Sequence, residues 1–420
     1  MPIQKPRGTY DILPDEMKLR DLIDTKIRNV FKYYNYKEIK TPTFEKTELF
    51  KRSIGEETDV VSKEMYSFSE NEFTLRPEMT ASVVRAYLEN SLYNESPVTK
   101  LFYIANMFRS ERPQAGRFRE FYQFGAELIG SKEYTSDLEI LLLTDQILKE
   151  LGISNYKIKL NTIGEMAERK DFINALLSYM EKYSNDISET SRKRLAKNPL
   201  RFLDTKDPKE KEILKDAPVL FDHISKDSRD NFEKILSGLT LMGLSFETDY
   251  KLVRGLDYYN GLTFEFISDD LGAQSSILGG GRYDGLISML DGKAAPAIGF
   301  AAGYERVMMI MKKNELIMSS KDNIDLYLVC ADQEFKMVCI SIITELRKNK
   351  IKCETDLLVR SVKSQMKEAD RMNAKYVVVY GEDESRTGSI KLKQMDTGET
   401  EVIQIDKLQD ILNQKLFSPK

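Results

Sequence analysis

Three arginines stand within nine residues in Phe108-Arg109-Ser110-Glu111-Arg112-Pro113-Gln114-Ala115-Gly116-Arg117. A guanidinium presents a planar fork of N–H donors that matches phosphate and carboxylate oxygens. Arg254 opens Arg254-Gly255-Leu256-Asp257-Tyr258-Tyr259-Asn260-Gly261, where acids, amides and phenols offer donors and acceptors for a small polar ligand. Arg306 follows the small residues of Gly299-Phe300-Ala301-Ala302-Gly303, which allow close approach to the backbone. Gly279-Gly280-Gly281-Arg282 predicts a tight turn or another close approach. It fits neither a Walker loop nor GxGxxG, so the common nucleotide folds gain nothing from it. Together these segments suit an anionic small molecule.

The scarce residues exclude other chemistries. His223 is the single histidine, which removes any mechanism needing two, and its bland reading is a helix surface. Cys330, Cys339 and Cys353 form no CxxC pair, so a disulfide framework or cysteine-rich zinc site is not expected. Chemistry therefore falls to Arg, Lys, Glu, Asp and Tyr, or to a metal held by carboxylates. The 420 residues carry 63 basic and 67 acidic side chains and are 41% hydrophobic, a globular composition with room for two or three domains. No run of 18 apolar residues predicts a membrane helix, and the first residues lack a signal-peptide core, so a cytoplasmic protein is expected.

The elements that must position these residues follow from periodicity. Leu19, Leu22, Ile23, Ile27, Val30 and Phe31 predict an amphipathic helix over 14–34, and a short strand over 36–39 stops before Pro42. A helix is expected over 80–89, and strands over 98–108 and 119–129 make a long hairpin with the arginine loop at its tip. Residues 165–238 read as charged and helical. Strand character returns at 252–253, 262–267 and 297–302, with a helix starting near Tyr304. From residue 323 strands alternate with helices in a separate α/β domain, with 16 basic and 16 acidic residues.

Taken in order, these segments resemble the histidyl-tRNA synthetases, a family of class II aminoacyl-tRNA synthetases. The resemblance runs from Pro6-Arg7-Gly8-Thr9 through Leu75-Arg76-Pro77-Glu78, the arginine loop, Asn198-Pro199-Leu200-Arg201 with Leu203-Asp204, the 254–259 and 279–285 segments, and Gly299 to Arg306. It implies an α+β fold: an antiparallel sheet of six or seven strands flanked by helices, a catalytic domain over 1–322 with a helical insertion at about 165–240, and an anticodon-binding α/β domain over 323–420. It implies ATP-dependent activation of L-histidine and transfer to tRNA(His), a homodimer, Mg2+ with the nucleotide, and no membrane.

Residue by residue, the resemblance makes Arg254 and Arg109 catalytic, Arg109 at the α-phosphate and the amino-acid carboxylate and Arg254 at the α-phosphate, and counts both among the histidine-binding residues. Arg117 and Arg306 would hold the terminal phosphates, Glu111 would read the adenine edge, and Phe121 would stack on the ring. Glu78, Thr80, Gln123, Glu127, Tyr258 and Tyr259 would bind histidine. No residue is singled out as a metal ligand. Lys363, Lys367 and Arg371, at helical spacing, are candidates for an RNA-facing surface. Tyr122 stands where many members carry histidine, and Asn260-Gly261 replaces a more usual Thr-Gly or Thr-His pair. Two other readings compete: a histidine-sensing regulatory paralogue of ATP phosphoribosyltransferase, and a binding-only tRNA module.

Overall fold

A computed structural model describes residues 3–417 apart from 57, 115, 204, 206, 317–322 and 359. The chain divides into two compact units, residues 1–317 and 318–420. In the first unit the strands are β1 (Lys37–Glu38), β2 (Phe44–Lys46), β3 (Tyr66–Phe68), β4 (Phe73–Leu75), β5 (Thr99–Phe108), β6 (Glu120–Ile129), β7 (Lys157–Thr162), β8 (Glu247–Thr248), β9 (Asn260–Ile267), β10 (Ser276–Arg282) and β11 (Ala297–Gly303). Eight of them form one sheet in the order β1-β5-β6-β11-β10-β9-β7-β8. The interior is antiparallel as expected, but two parallel edge strands raise the count above six or seven. Each edge strand is two exposed residues long; β1 lies within the strand expected over 36–39, while β8 is too short to show an alternation. Strands β2, β4 and β3 make a separate small sheet.

The sheet buries one face under helices Pro14–Tyr33 and Tyr134–Glu150. Along β6 successive side chains alternate between faces. Phe124, Ala126 and Leu128 enter that core, which leaves Phe121, Gln123, Gly125 and Glu127 to the opposite face. The helix Pro14–Tyr33 buries Leu19, Ile23, Ile27, Val30 and Phe31, the predicted stripe with Leu22 left at its edge. The fully buried Phe31 ring stacks on Phe102 with centroids 4.3 Å apart. Phe31→Ala is therefore expected to cost about 3–5 kcal/mol of stability, read as a lower urea midpoint at unchanged slope.

One expectation is corrected, and one pair of alternatives is decided. Residues 252–253 form no strand; the chain runs through them as a loop. The triple glycine is not a turn but the buried middle of β10. Close approach is its reason: a Cβ at Gly280 would fall on the Gly299 carbonyl and the Phe264 ring. The 165–240 region is helical, with Arg169–Glu181, Glu189–Lys197, Pro199–Phe202, Pro208–Ile213 and Lys226–Leu241. Phe172, Leu176, Met180, Leu195 and Phe202 are in its core. His223 lies half-buried at the end of a 3-10 turn, its ring 5.8 Å from Phe172. Among the described residues no helix is long and apolar enough to cross a membrane.

The second unit has a five-stranded sheet of β12 (Leu326–Cys330), β13 (Cys353–Thr355), β14 (Tyr376–Tyr380), β15 (Ser389–Gln394) and β16 (Thr400–Gln404), ordered β13-β12-β14-β15-β16. The first three strands are parallel and the last two antiparallel. All three cysteines are buried thiols in this unit. Lys363, Lys367 and Arg371 lie on the exposed face of the helix Val362–Arg371, Arg371 ion-paired to Glu368.

Candidate active site

The face of the sheet opposite the main core is the floor of a cavity of about 1030 Å³. Small residues keep that floor low. Register sets Glu127 beside Gly299 and Glu265 beside Gly279. A Cβ at Gly299 would fall on a Glu127 oxygen, and one at Gly279 on the Arg254 guanidinium. These two glycines leave the space that longer side chains from neighbouring strands and loops fill.

Eleven of the twelve residues singled out from the sequence line this cavity: Glu78, Thr80, Arg109, Glu111, Arg117, Phe121, Gln123, Arg254, Tyr258, Tyr259 and Arg306. Glu127 sits just beneath the lining, 1% exposed. Its Oε1 accepts from the Thr80 hydroxyl at 2.8 Å and its Oε2 from the Tyr283 hydroxyl at 2.5 Å. Burial pushes the Glu127 carboxyl up to about 8; those hydroxyls oppose the rise, and the nearby Glu78 adds to it. Glu78 is buried too and held above its usual range by burial. The Ala81 and Thr80 backbone N–H groups it accepts, at 2.9 and 2.7 Å, work the other way. It thereby closes the N-terminus of the helix Thr80–Glu89, where a carboxylate meets the helix dipole favourably. The buried Tyr258 and Tyr259 rings pack 4.7 Å apart, and Tyr258 meets Tyr283 edge-on at 5.7 Å. The Gln123 Oε1 is buried with no hydrogen-bond partner, an open acceptor in the wall.

The four arginines are placed by different elements. Arg109 follows β5; its Nε donates to the Pro77 carbonyl at 2.8 Å, and its guanidinium lies 5.4 Å from the Phe121 ring centre. Arg117 reaches Glu111 at 2.9 Å, so the carboxylate assigned to the adenine edge is now engaged by an arginine. Arg254 pairs with Glu265, while its buried Nε has no partner. Arg306 lies in the first turn of the helix Tyr304–Lys313 and donates to the Ser276 carbonyl at 2.5 Å. Burial, then the neighbouring Arg117, hold its guanidinium below the usual value, the mark of a cation packed where an anion belongs.

Sequence reasoning missed Tyr283, which holds Glu127, and Glu265, which holds Arg254. Glu265 had a signal: it is the one charged residue in the strand Asn260–Ile267. Tyr283 sits beside Arg282, whose guanidinium is clamped on Asp137 at 2.8 Å and fixes that end of β10. Of the two departures, Tyr122 faces away from the cavity, its ring 4.8 Å from the Arg20 guanidinium. Asn260 donates to Glu165 at 3.0 Å and to Asp284 at 3.3 Å. Asp204 lies outside the described residues.

A sheet floored with glycine, ringed by arginines and ending in a closed polar pocket is built to bring two anions together. An aminoacyl-tRNA synthetase faces that task when it joins a carboxylate to a nucleotide phosphate. A family model described as Histidyl-tRNA synthetase matches residues 8–307, and one described as Anticodon binding domain matches residues 316–415. A histidine–tRNA ligase of Lactococcus lactis subsp. cremoris is 43% identical over 402 residues, 94% of each chain. One of Bacillus cytotoxicus is 43% identical over 99% of this chain and 100% of its own. The crystal structure of apo histidyl-tRNA synthetase from S. aureus superposes with a TM-score of 0.82 at 35% identity, covering 98% of this chain and 99% of that one. The chain belongs to the histidyl-tRNA synthetase family, and its activity is that of a histidine–tRNA ligase.

Proposed function

We propose that the arginine-ringed cavity performs histidine activation with the residues named above. The observation that carries this reading is the convergence of Arg109, Arg117, Arg254 and Arg306 on one cavity whose far end is polar and closed. A histidine carboxylate oxygen attacks the α-phosphorus of ATP, and the bond to pyrophosphate breaks. Arg109 and Arg254 offset the charge that gathers on the α-phosphate in the transition state, and fixed cations do so without reorganising. Arg117 and Arg306 take the terminal phosphates. Phe121 stacks on adenine and Glu111 reads its edge once nucleotide draws Arg117 away. In the second step a terminal ribose hydroxyl of tRNA attacks the acyl carbon of the adenylate, and AMP leaves.

Histidine lies over Glu78, Thr80, Gln123, Tyr258 and Tyr259, with Glu127 behind them. The ligand ammonium and imidazole N–H are donors, and the wall supplies acceptors. An amino acid without those donors leaves the acceptors buried and unpaired, which is a strong discrimination. Binding of the ammonium favours the ionised form of the Glu127–Glu78 pair, and the Glu127 carboxyl stands at about 8 in the free protein. Histidine binding is accordingly expected to release protons between about pH 6.5 and 8. Calorimetry in buffers of different ionisation enthalpy reads that release, and Glu127→Gln should remove most of it.

Mg2+ belongs to the proposal through the nucleotide. Among the described residues no group of three His, Cys, Asp or Glu side chains is arranged to hold a metal by itself. Glu111 and Glu265 stand at the cavity wall, each on an arginine. That donor set fits an ion carried by phosphates with one or two protein carboxylates, and bound Mg2+ would offset phosphate charge there.

We also propose a cytoplasmic homodimer whose second unit, from residue 323, binds the tRNA anticodon while residues 1–322 catalyse. The half-exposed Phe44 and Phe68, grouped with Phe73 on the small sheet after Pro42, support an interface between copies. Pyrophosphate exchange into ATP, tried with each of the twenty amino acids, tests the central reading: exchange with histidine alone is expected. Folded protein giving no exchange would favour the histidine-sensing regulatory paralogue.

A further inference from the structure

The loop that carries Arg254 is held by the inserted helices. Asn198 closes the helix Glu189–Lys197 and opens Pro199–Phe202, in an extended conformation (φ −144°, ψ 90°) of the kind that a following proline imposes. That corner turns its amide outward, and the Asn198 Nδ2 donates to the Asp257 Oδ1 at 3.0 Å. Arg201, on the same short helix, donates through Nε to that oxygen at 3.1 Å and through Nη2 to the Gly255 carbonyl at 2.9 Å. The fully buried Phe202 anchors the corner in the core of the insertion. Farther along the loop, Arg169 at the start of the helix Arg169–Glu181 donates to the Tyr259 carbonyl at 2.6 Å.

These contacts divide the restraint on Arg254 in two. Its guanidinium is fixed by the sheet, over Gly279 and against Glu265. The backbone from which it springs is fixed by the insertion, at Gly255, Asp257 and Tyr259. A partly exposed ion pair alone carries little energy. Here one arginine spans a carboxylate and a backbone carbonyl two residues apart, so what it holds is the shape of the loop.

We propose that Arg201, aided by Asn198, is a positioning residue for Arg254: by clasping Asp257 and the Gly255 carbonyl, the insertion sets where the Arg254 guanidinium meets the α-phosphate. This rests on the reading that Arg254 acts at that phosphate. The insertion is then part of the machinery that sets the rate of adenylate formation, before any tRNA is bound.

Single-turnover formation of histidyl-adenylate, on full-length chains with enzyme in excess over labelled ATP, yields a rate constant that does not depend on the folded fraction. Arg201→Ala should lower that constant about ten- to a hundredfold, since misplacing a catalytic group by an ångström costs on that order. The KM values for ATP and histidine should move much less than kcat. Arg201→Lys, which keeps the charge without spanning both partners, should fall between and guards against a variant that fails to fold. Lys209→Ala, which breaks an exposed pair with Asp186 in the same insertion, should leave the rate unchanged.

The decisive comparison is in an Arg254→Ala background. There Arg201→Ala should add nothing, because its effect passes through the missing side chain. A full rate in both Arg201 variants, or a loss that multiplies that of Arg254→Ala, overturns the proposal while the role of Arg254 stands. A near-normal rate in Arg254→Ala alone overturns the reading of Arg254 and the proposal with it.

Discussion

Arg254→Ala is expected to lower histidine-dependent pyrophosphate exchange about a hundred- to a thousandfold while the protein remains folded. The size follows from removing one preorganised charge donor from a site where negative charge grows in the transition state. The fold is spared because Arg254 springs from a loop and contributes nothing to the main core. Its guanidinium packs over a glycine in β10, so truncation empties space on the cavity side rather than in the core. Glu265 would then lose its partner, but it faces the cavity, where water can solvate it. Binding should suffer less than turnover, because the arginine's donors matter most for charge that exists only during the reaction. Arg254→Lys should rescue poorly, since an ammonium lacks the planar fork. Exchange at a near-normal rate in Arg254→Ala would move the α-phosphate role to Arg109 alone.

What made this site legible was the family resemblance carried by these segments in their order; periodicity supplied the elements beneath them. The strand expected over 119–129 carries Phe121, Gln123 and Glu127, and β6 places all three on one face of the sheet. The helices Pro14–Tyr33 and Thr80–Glu89 fall within a residue of their expected limits, because each has a clear apolar stripe or a marked start. The glycine run left a turn and a close approach both open, because glycine serves either. In β10 the message is the absence of a side chain, required by a guanidinium above Gly279 and by a carbonyl facing Gly280. No local pattern states what a neighbouring strand needs. The same holds for Asp257: nothing near it in sequence points to Asn198 and Arg201, which lie 59 and 56 residues away. Of the two-residue edge strands, β1 falls within the strand expected over 36–39, while β8 had too few residues to display a period.

Glu127→Ala should raise the KM for histidine on the order of a hundredfold and leave that for ATP nearly unchanged. Glu127 is almost wholly buried, beneath the lining, and both of its oxygens are occupied by the hydroxyls of Thr80 and Tyr283. Those two side chains line the cavity, so the carboxylate orients the wall that meets the ligand. Removing it strands two buried hydroxyls and opens a hole beside Gly299, whose missing Cβ had made room for the carboxylate. The arginines lie on other elements and keep their own partners, which is why nucleotide binding should be spared. Tyr283→Phe removes one donor and keeps the ring, so a smaller rise in the histidine KM is expected from it. Glu127→Gln preserves shape but not charge. If the rise in KM follows charge, Glu127→Gln should resemble Glu127→Ala; if it follows the support of Thr80 and Tyr283, Glu127→Gln should resemble the unaltered protein. A histidine dependence unchanged in Glu127→Ala would remove this carboxylate from the binding of the amino acid.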